Sequence, residues 1–254
     1  MSEHKKPAPW LYPPIKALVK LVTPKFQVEG LENLPQEPCL VVGNHSQIYG
    51  PVACELYFPG KRYTWCAGQM MNLREVPGYA YQDFWSKKSR WSRPFYKLLS
   101  YMMAPLSVCI FENANTIGVY RDGRIISTFK NTVKRLEEGA NVVIFPEHDE
   151  PYNHILSRFQ DKFVDIARLY YKKTGKELAF VPTYIAPNLG KMCLGEPARF
   201  CAHEDMDLQR QRICRELMEK ITDLAEALPE HKVVPYRNIP KKQYPTNLPE
   251  RVKL

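Results

Sequence analysis

Three short stretches of this sequence carry side chains able to do chemistry. Gly43-Asn44-His45-Ser46 follows directly on the apolar run Cys39–Gly43. An imidazole there suits general-base work, because its unperturbed pKa lies close to neutral pH. A histidine at that point serves equally well to satisfy a turn by hydrogen bonding. Phe145-Pro146-Glu147 ends a second apolar run in the same manner. Its carboxylate can bind an acceptor hydroxyl, orient a histidine or cap a following helix. Arg121 stands just beyond Ile117–Val119, where its guanidinium fork suits a phosphate or simply water.

Such side chains need strands to position them. The runs CLVVG (39–43), NVVIF (141–145) and AFVPTYI (179–185) lack polar alternation, as in strands covered on both faces. Open α/β sheets gather their sites at the ends of such strands. Between the first two, Ile126, Phe129, Val133 and Leu136 recur at helical spacing, with Gly139 as C-cap. Phe163, Ile166, Ala167 and Tyr170 predict another helix ending near Gly175. Ile213, Leu217, Ile221, Leu224 and Leu228 mark a long one over 208–228. Ile15, Leu18, Val19 and Val22 predict a short amphipathic helix stopped by Pro24. Strands alternating with helices predict one α/β domain, residues 28–228, with helices on its sheet. A proline-rich segment with the amphipathic helix precedes it (1–27). A proline-rich basic tail follows (229–254), expected to run extended over the surface.

Taken in order, these pieces resemble the PlsC-like glycerophospholipid acyltransferases. Val28-Glu29-Gly30-Leu31-Glu32-Asn33-Leu34-Pro35 leads into CLVVGNH, much as that family leads into a strand and Asn-His. Ile117-Gly118-Val119-Tyr120-Arg121 is similar to its second block, Phe145-Pro146-Glu147 to its third, and Val181-Pro182 to its fourth. The resemblance covers roughly residues 15–225. It implies a PlsC-like fold, a central mixed sheet flanked by helices. It also implies an enzyme of phospholipid synthesis, moving a fatty acyl group from a thioester to the hydroxyl of a lysophospholipid or glycerophosphate acceptor. The donor would be acyl-CoA or acyl carrier protein, a co-substrate rather than a cofactor, and no metal is required. His45 would take the hydroxyl proton, Glu147 position the hydroxyl, and Arg121 hold the phosphate, with Asn44 and Pro146 beside the substrate. Backbone N–H groups near the third block would meet the oxyanion.

Two departures stand out. The family holds its histidine with an aspartate five positions on, and that position here is Gly50. Its Gly-Thr-Arg after the third block is replaced by His148-Asp149-Glu150. A substitute acid is expected among Asp149, Glu150 and Glu55, with Asp149 first. The alternative is a catalytically decayed relative that binds lipid or acyl carrier.

The 36 Lys and Arg exceed the 27 Asp and Glu by nine, a surplus that attracts nucleic acid, an anionic membrane or a phosphorylated substrate. Phe84 to Lys97 (FWSKKSRWSRPFYK), within an insertion near 79–111, interleaves five aromatics with five cations and no acid. That mixture suits an anionic membrane interface, and the apolar continuation to Phe111 favours it over single-stranded nucleic acid. With no helix-turn-helix, zinc-finger or RNP-like pattern, a basic nucleic-acid-binding protein ranks lower. A 44% hydrophobic content excludes an intrinsically disordered chain. The seven cysteines show no CxxC spacing, as expected of reduced thiols rather than a zinc or redox site. No secretory signal is apparent, and no run reaches the ~20 apolar residues of a membrane span. The expected location is cytoplasmic, peripheral on the membrane.

Overall fold

A computed structural model describes residues 6–86 and 88–248. The outermost residues of both terminal segments, and Lys87 of the basic insertion, lie outside the described residues. In chain order the helices are α1 (Tyr12–Val22), α2 (Tyr49–Tyr57), α3 (Val76–Ala80), α4 (Arg93–Asn113), α5 (Ile125–Glu137), α6 (Asp165–Thr174) and α7 (Met206–Glu226). The strands are β1 (Gln27–Glu29), β2 (Leu40–Gly43), β3 (Arg62–Ala67), β4 (Thr116–Val119), β5 (Asn141–Ile144), β6 (Glu147–Pro151), β7 (Ser157–Phe159), β8 (Ala179–Ala186), β9 (Lys191–Leu194) and β10 (Ala198–Arg199). The chain divides into two compact units. The larger comprises Thr23–Arg62 and Thr132–Leu254, the smaller Met1–Val22 and Tyr63–Asn131.

In the larger unit the strands run β1-β9-β8-β2-β5. β2 is parallel to both β5 and β8, while β9 and β10 pair antiparallel with β8, so the sheet is mixed. Every residue of β2 and β8 is buried, the environment their unbroken apolar runs demand. Val41, Val143, Val181 and Ile185 meet Ala53, Cys54 and Phe58 in one core cluster, while Ile213, Leu217 and Ile221 bury the inner face of α7, which packs on β8. Pro182 sits mid-strand, where proline is normally excluded. Its carbonyl accepts from Gly195 N–H (2.9 Å), on the side where β10 has ended and β9 has not begun.

In the smaller unit β3 and β4 run parallel, with Trp65 opposite Ile117 and Ala67 opposite Val119. Trp65 stacks on Phe129 of α5 (6.2 Å between centroids), and the buried Thr128 hydroxyl donates to Gly118 O (2.7 Å). Met70, Val76, Ala80 and Ala104 pack α3 against α4. The apolar stretch seen in the sequence is longer here. With the turn before it, α4 forms a 24-residue helix, Arg90–Asn113, long and apolar enough by length and composition to cross a membrane. It is nonetheless two-faced. Ser100, Ala104, Ser107 and Cys109 are buried, whereas Trp91, Phe95, Leu98, Met102 and Leu106 are exposed at helical spacing, Trp91 by 95%. The basic insertion is not one outward-facing aromatic surface. Trp85 turns inward and stacks on Tyr96 at 5.6 Å.

The tail beyond α7 is extended, as its prolines require, but it is stapled rather than loose. Asn247 is fully buried, accepting His231 N–H on Oδ1 (2.8 Å) and donating from Nδ2 to Ala225 O and Leu228 O at the end of α7. His231 bridges Tyr184 O–H and Pro229 O, both at 2.8 Å. Lys232 and Thr246 form an antiparallel bridge above this base. Residues 231–247 thus make a strap whose two legs are pinned together.

Candidate functional site

β2 delivers His45 to its carboxyl end, and a side-chain amide continues the sheet past that point. The last paired residues are Gly43 and Thr183. Beyond them Asn44 Oδ1 accepts from Ile185 N–H (2.7 Å), and its Nδ2 donates to Ile185 O (3.0 Å) and Ser46 Oγ (2.7 Å). Asn44 is 2% exposed, so its polar atoms face the protein rather than a substrate. The chain then reverses through Ser46 (φ +45°) and Gln47 (φ +55°), a left-handed pair that costs non-glycine residues about 1–2 kcal/mol each.

Glu147 completes the turn from β5. It is 3% exposed, and both oxygens are occupied: Oε1 accepts His45 backbone N–H (2.6 Å) and Oε2 accepts Ser157 N–H (2.8 Å) from β7. Burial pushes its pKa up to about 7, against the two N–H bonds, which favour the carboxylate. Glu147 therefore orients the histidine through the backbone. No helix follows for it to cap, since Glu147 itself opens β6. The His45 and Ser157 N–H groups are likewise spent on the carboxylate. Pro146 is buried, and its carbonyl accepts from Gln160 N–H (2.9 Å).

The imidazole itself is held differently. Its Nδ1 is buried and has no hydrogen-bond partner. Phe145 and Tyr236 flank the ring, each edge-on, at 5.4 and 5.7 Å between centroids. Burial lowers the His45 pKa below its usual value, partly opposed by the Gln47 backbone, so the ring is neutral at pH 7. The three acids considered from the sequence lie elsewhere. Asp149 is carried outward on β6 and is exposed. Glu150 pairs with Arg158 (3.3 Å) and lies 3.8 Å from His148, and Glu55 binds Arg62 (2.7 Å). None of them holds Nδ1.

Gly50 is fixed by space. It lies in the first turn of α2, where its N–H donates to His45 O (3.1 Å), and a Cβ there would sit 2.5 Å from that oxygen and 3.0 Å from Asn44 O. These two contacts are backbone, which cannot step aside, and Phe145 Cε1 stands 3.0 Å away as well.

In the smaller unit Arg121 is exposed beyond β4 and forms no ion pair with another described residue. Its neighbour Arg124 is fully engaged, over the Tyr120 ring (3.9 Å) and paired with Glu75 and Asp122. Sequence reasoning missed Tyr236 and Tyr244, the latter accepting from Gln47 Nε2 (3.0 Å). Both sit in the proline-rich tail, where no periodicity or motif marks them. Among the described residues no cluster of three His, Cys, Asp or Glu could hold a metal ion.

No family model matches the chain, and no curated protein matches it. Among solved structures, the chain is similar to an acyltransferase. This is the 1-acyl-sn-glycerophosphate (LPA) acyltransferase, PlsC, from Thermotoga maritima, at 14% identity and a TM-score of 0.46, over 85% of this chain and 80% of that one. Likeness at this level does not assign a function; the side chains of the site have to do that.

One consequence is direct. Gly50→Asp, which introduces the residue that the resembled PlsC-like pattern carries, is expected to destabilise the fold by at least about 1–3 kcal/mol through the backbone clash and to leave Nδ1 unpaired. Denaturant unfolding and a structure of the variant check both points. A stable variant with its carboxylate on Nδ1 would contradict this.

Proposed function

We propose that this protein is an O-acyltransferase, moving a fatty acyl group from an acyl thioester to the hydroxyl of a lysoglycerophosphate-type acceptor at an anionic membrane surface. The observation that carries the reading is the His45 imidazole, desolvated and neutral at a strand end whose backbone Glu147 holds. A base must be neutral to accept a proton, and burial keeps it so. In the proposed reaction the imidazole takes the acceptor hydroxyl's proton as that oxygen attacks the thioester carbonyl. The tetrahedral oxyanion collapses, the C–S bond breaks, and the departing thiolate takes the proton back from the imidazolium. Arg121 is the residue proposed to bind the acceptor's phosphate. Without a carboxylate the imidazolium lacks its usual support, a loss worth about 10⁴ in serine-protease triads, so slow turnover is expected.

That same unpaired Nδ1, in an aromatic surround, favours a second reading: a protein that binds lysolipid or acyl carrier without transfer. Purified protein given acyl-CoA or acyl carrier protein donors and a panel of lysolipids separates the two. Transfer predicts a mass-identified product that falls at least about a hundredfold in His45→Ala, and weaker acceptor binding in Arg121→Lys, because an ammonium cannot fork a phosphate. No product from any pair, with binding intact, would leave the second reading.

The membrane part rests on the exposed stripe of α4, the exposed Leu18, Leu21 and Val22 of α1, and the cations beside them, Lys16, Lys20, Arg90, Arg93 and Lys97. A helix buried along one side and apolar along the other suits lying in the interface rather than crossing it. The protein is expected to pellet with anionic vesicles, less with neutral ones and less at high salt. Replacing Trp91 and Phe95 by Ala weakens binding, while equal binding to both vesicle types at every salt concentration would remove the electrostatic component.

A further inference from the structure

No carboxylate fixes the plane of the His45 ring, and its Nδ1 has no hydrogen-bond partner, which leaves the ring a polar contact with the Gln47 backbone. A base of undefined orientation is a poor one, because a displacement of about 1 Å can cost a hundredfold in rate. Two aromatic rings add the remaining constraint. One is Phe145, next to Glu147 in the chain and part of the same strand end. The other, Tyr236, comes from the far end of the sequence, on the strap.

The strap is built to keep Tyr236 there. At its base, Pro229 O can only accept, so His231 Nδ1 donates to it, and Nε2 is hydrogen-bonded to the Tyr184 hydroxyl. Tyr184 is the residue before Ile185, whose N–H and C=O are clamped by Asn44. Asn247 ties the returning leg to His231 by two hydrogen bonds, with Asn247 N–H also donating to His231 O (3.0 Å). A second tie reaches the turn itself, Gln47 Nε2 to Tyr244 O–H, immediately beyond the left-handed Ser46. A path of hydrogen bonds and packing thus runs from His45 through Asn44, Ile185, Tyr184 and His231 along the strap to Tyr236, and back onto the imidazole.

We infer that Tyr236 is the positioning residue for His45, its ring edge fixing the imidazole where a carboxylate would otherwise do so, with the strap as the element that delivers it. This rests on the reading of His45 as the general base. A ring contact of this kind favours particular orientations beyond the area it buries, and it supplies no anion to stabilise an imidazolium.

The test has two independent readouts in the full-length protein. The first is the chemical shift of the His45 ring protons, which the neighbouring aromatic ring displaces whether or not the protein turns over. Tyr236→Phe keeps those shifts close to wild type, and Tyr236→Ala moves them, with the His231 resonances unchanged as the sign that the strap stays docked. Should the Ala variant loosen the strap, Tyr236→Leu fills the space without a ring and is expected to shift the His45 protons in the same way. The second readout is steady-state transfer. Tyr236→Ala lowers kcat by about ten- to a hundredfold with KM little changed, and Tyr236→Phe restores it. His45 shifts that ignore both Ala and Leu, or a Phe variant as impaired as Ala, would overturn the inference. Absence of transfer in wild type, with the shift pattern as expected, would instead sink the functional reading and leave the positioning intact.

Discussion

Everything around His45 depends on one carboxylate that accepts a backbone N–H from each side. Glu147 is nearly fully buried at the start of β6, and its two oxygens bind the N–H of His45 and of Ser157. An unmade bond to a buried N–H costs about 1–3 kcal/mol, so this arrangement locks three chain segments together: the end of β2, the end of β5, and β7. Asn44 and Ser46 perform the matching task towards β8, capping Ile185 after the regular ladder stops. The polar groups that sequence reading offered as contacts to a substrate are therefore largely contacts to the backbone. What they produce is a rigid turn that presents a single imidazole.

That imidazole differs in kind from one paired with an acid. A His–Asp pair fixes the tautomer and stabilises the charged ring, whereas aromatic edges fix orientation alone. The balance seen here, burial that disfavours the imidazolium and no carboxylate on Nδ1, keeps the ring neutral at neutral pH, as the proposed base requires, and lowers its basicity. Gly50 belongs to the same arrangement. The turn closes so tightly over its Cα that the acid could not be accommodated without moving His45 O, so its absence and the aromatic packing are two aspects of one local geometry.

Much of the scaffold was legible because it is written in long-range patterns. β2, β5 and β8 fall on the three unbroken apolar runs, and α1, α5, α6 and α7 on the four helical periodicities, with Gly139 (φ +79°) and Gly175 (φ +71°) in the left-handed conformation their positions suggested. Other elements have no such signature. β6 reads EHDEP, polar up to its final proline, and pairs with a three-residue partner. The position of His45 was also legible, but its surroundings were not. Tyr236 reaches it only because His231 and Asn247 pin the strap, and those two residues carry no local pattern in the sequence. Trp85 and Trp91 look alike within the basic insertion, yet one stacks on Tyr96 and the other is almost wholly exposed; composition cannot separate them, since only the fold of the segment does.

The most direct measurement is the release of free thiol from an acyl thioester donor, followed alongside acceptor acylation in the same reaction. Direct transfer with His45 as base predicts thiol release only when a lysoglycerophosphate-type acceptor is present, in one-to-one proportion with acylated product. Thiol release that is independent of acceptor, or no release with any donor and acceptor, would contradict it.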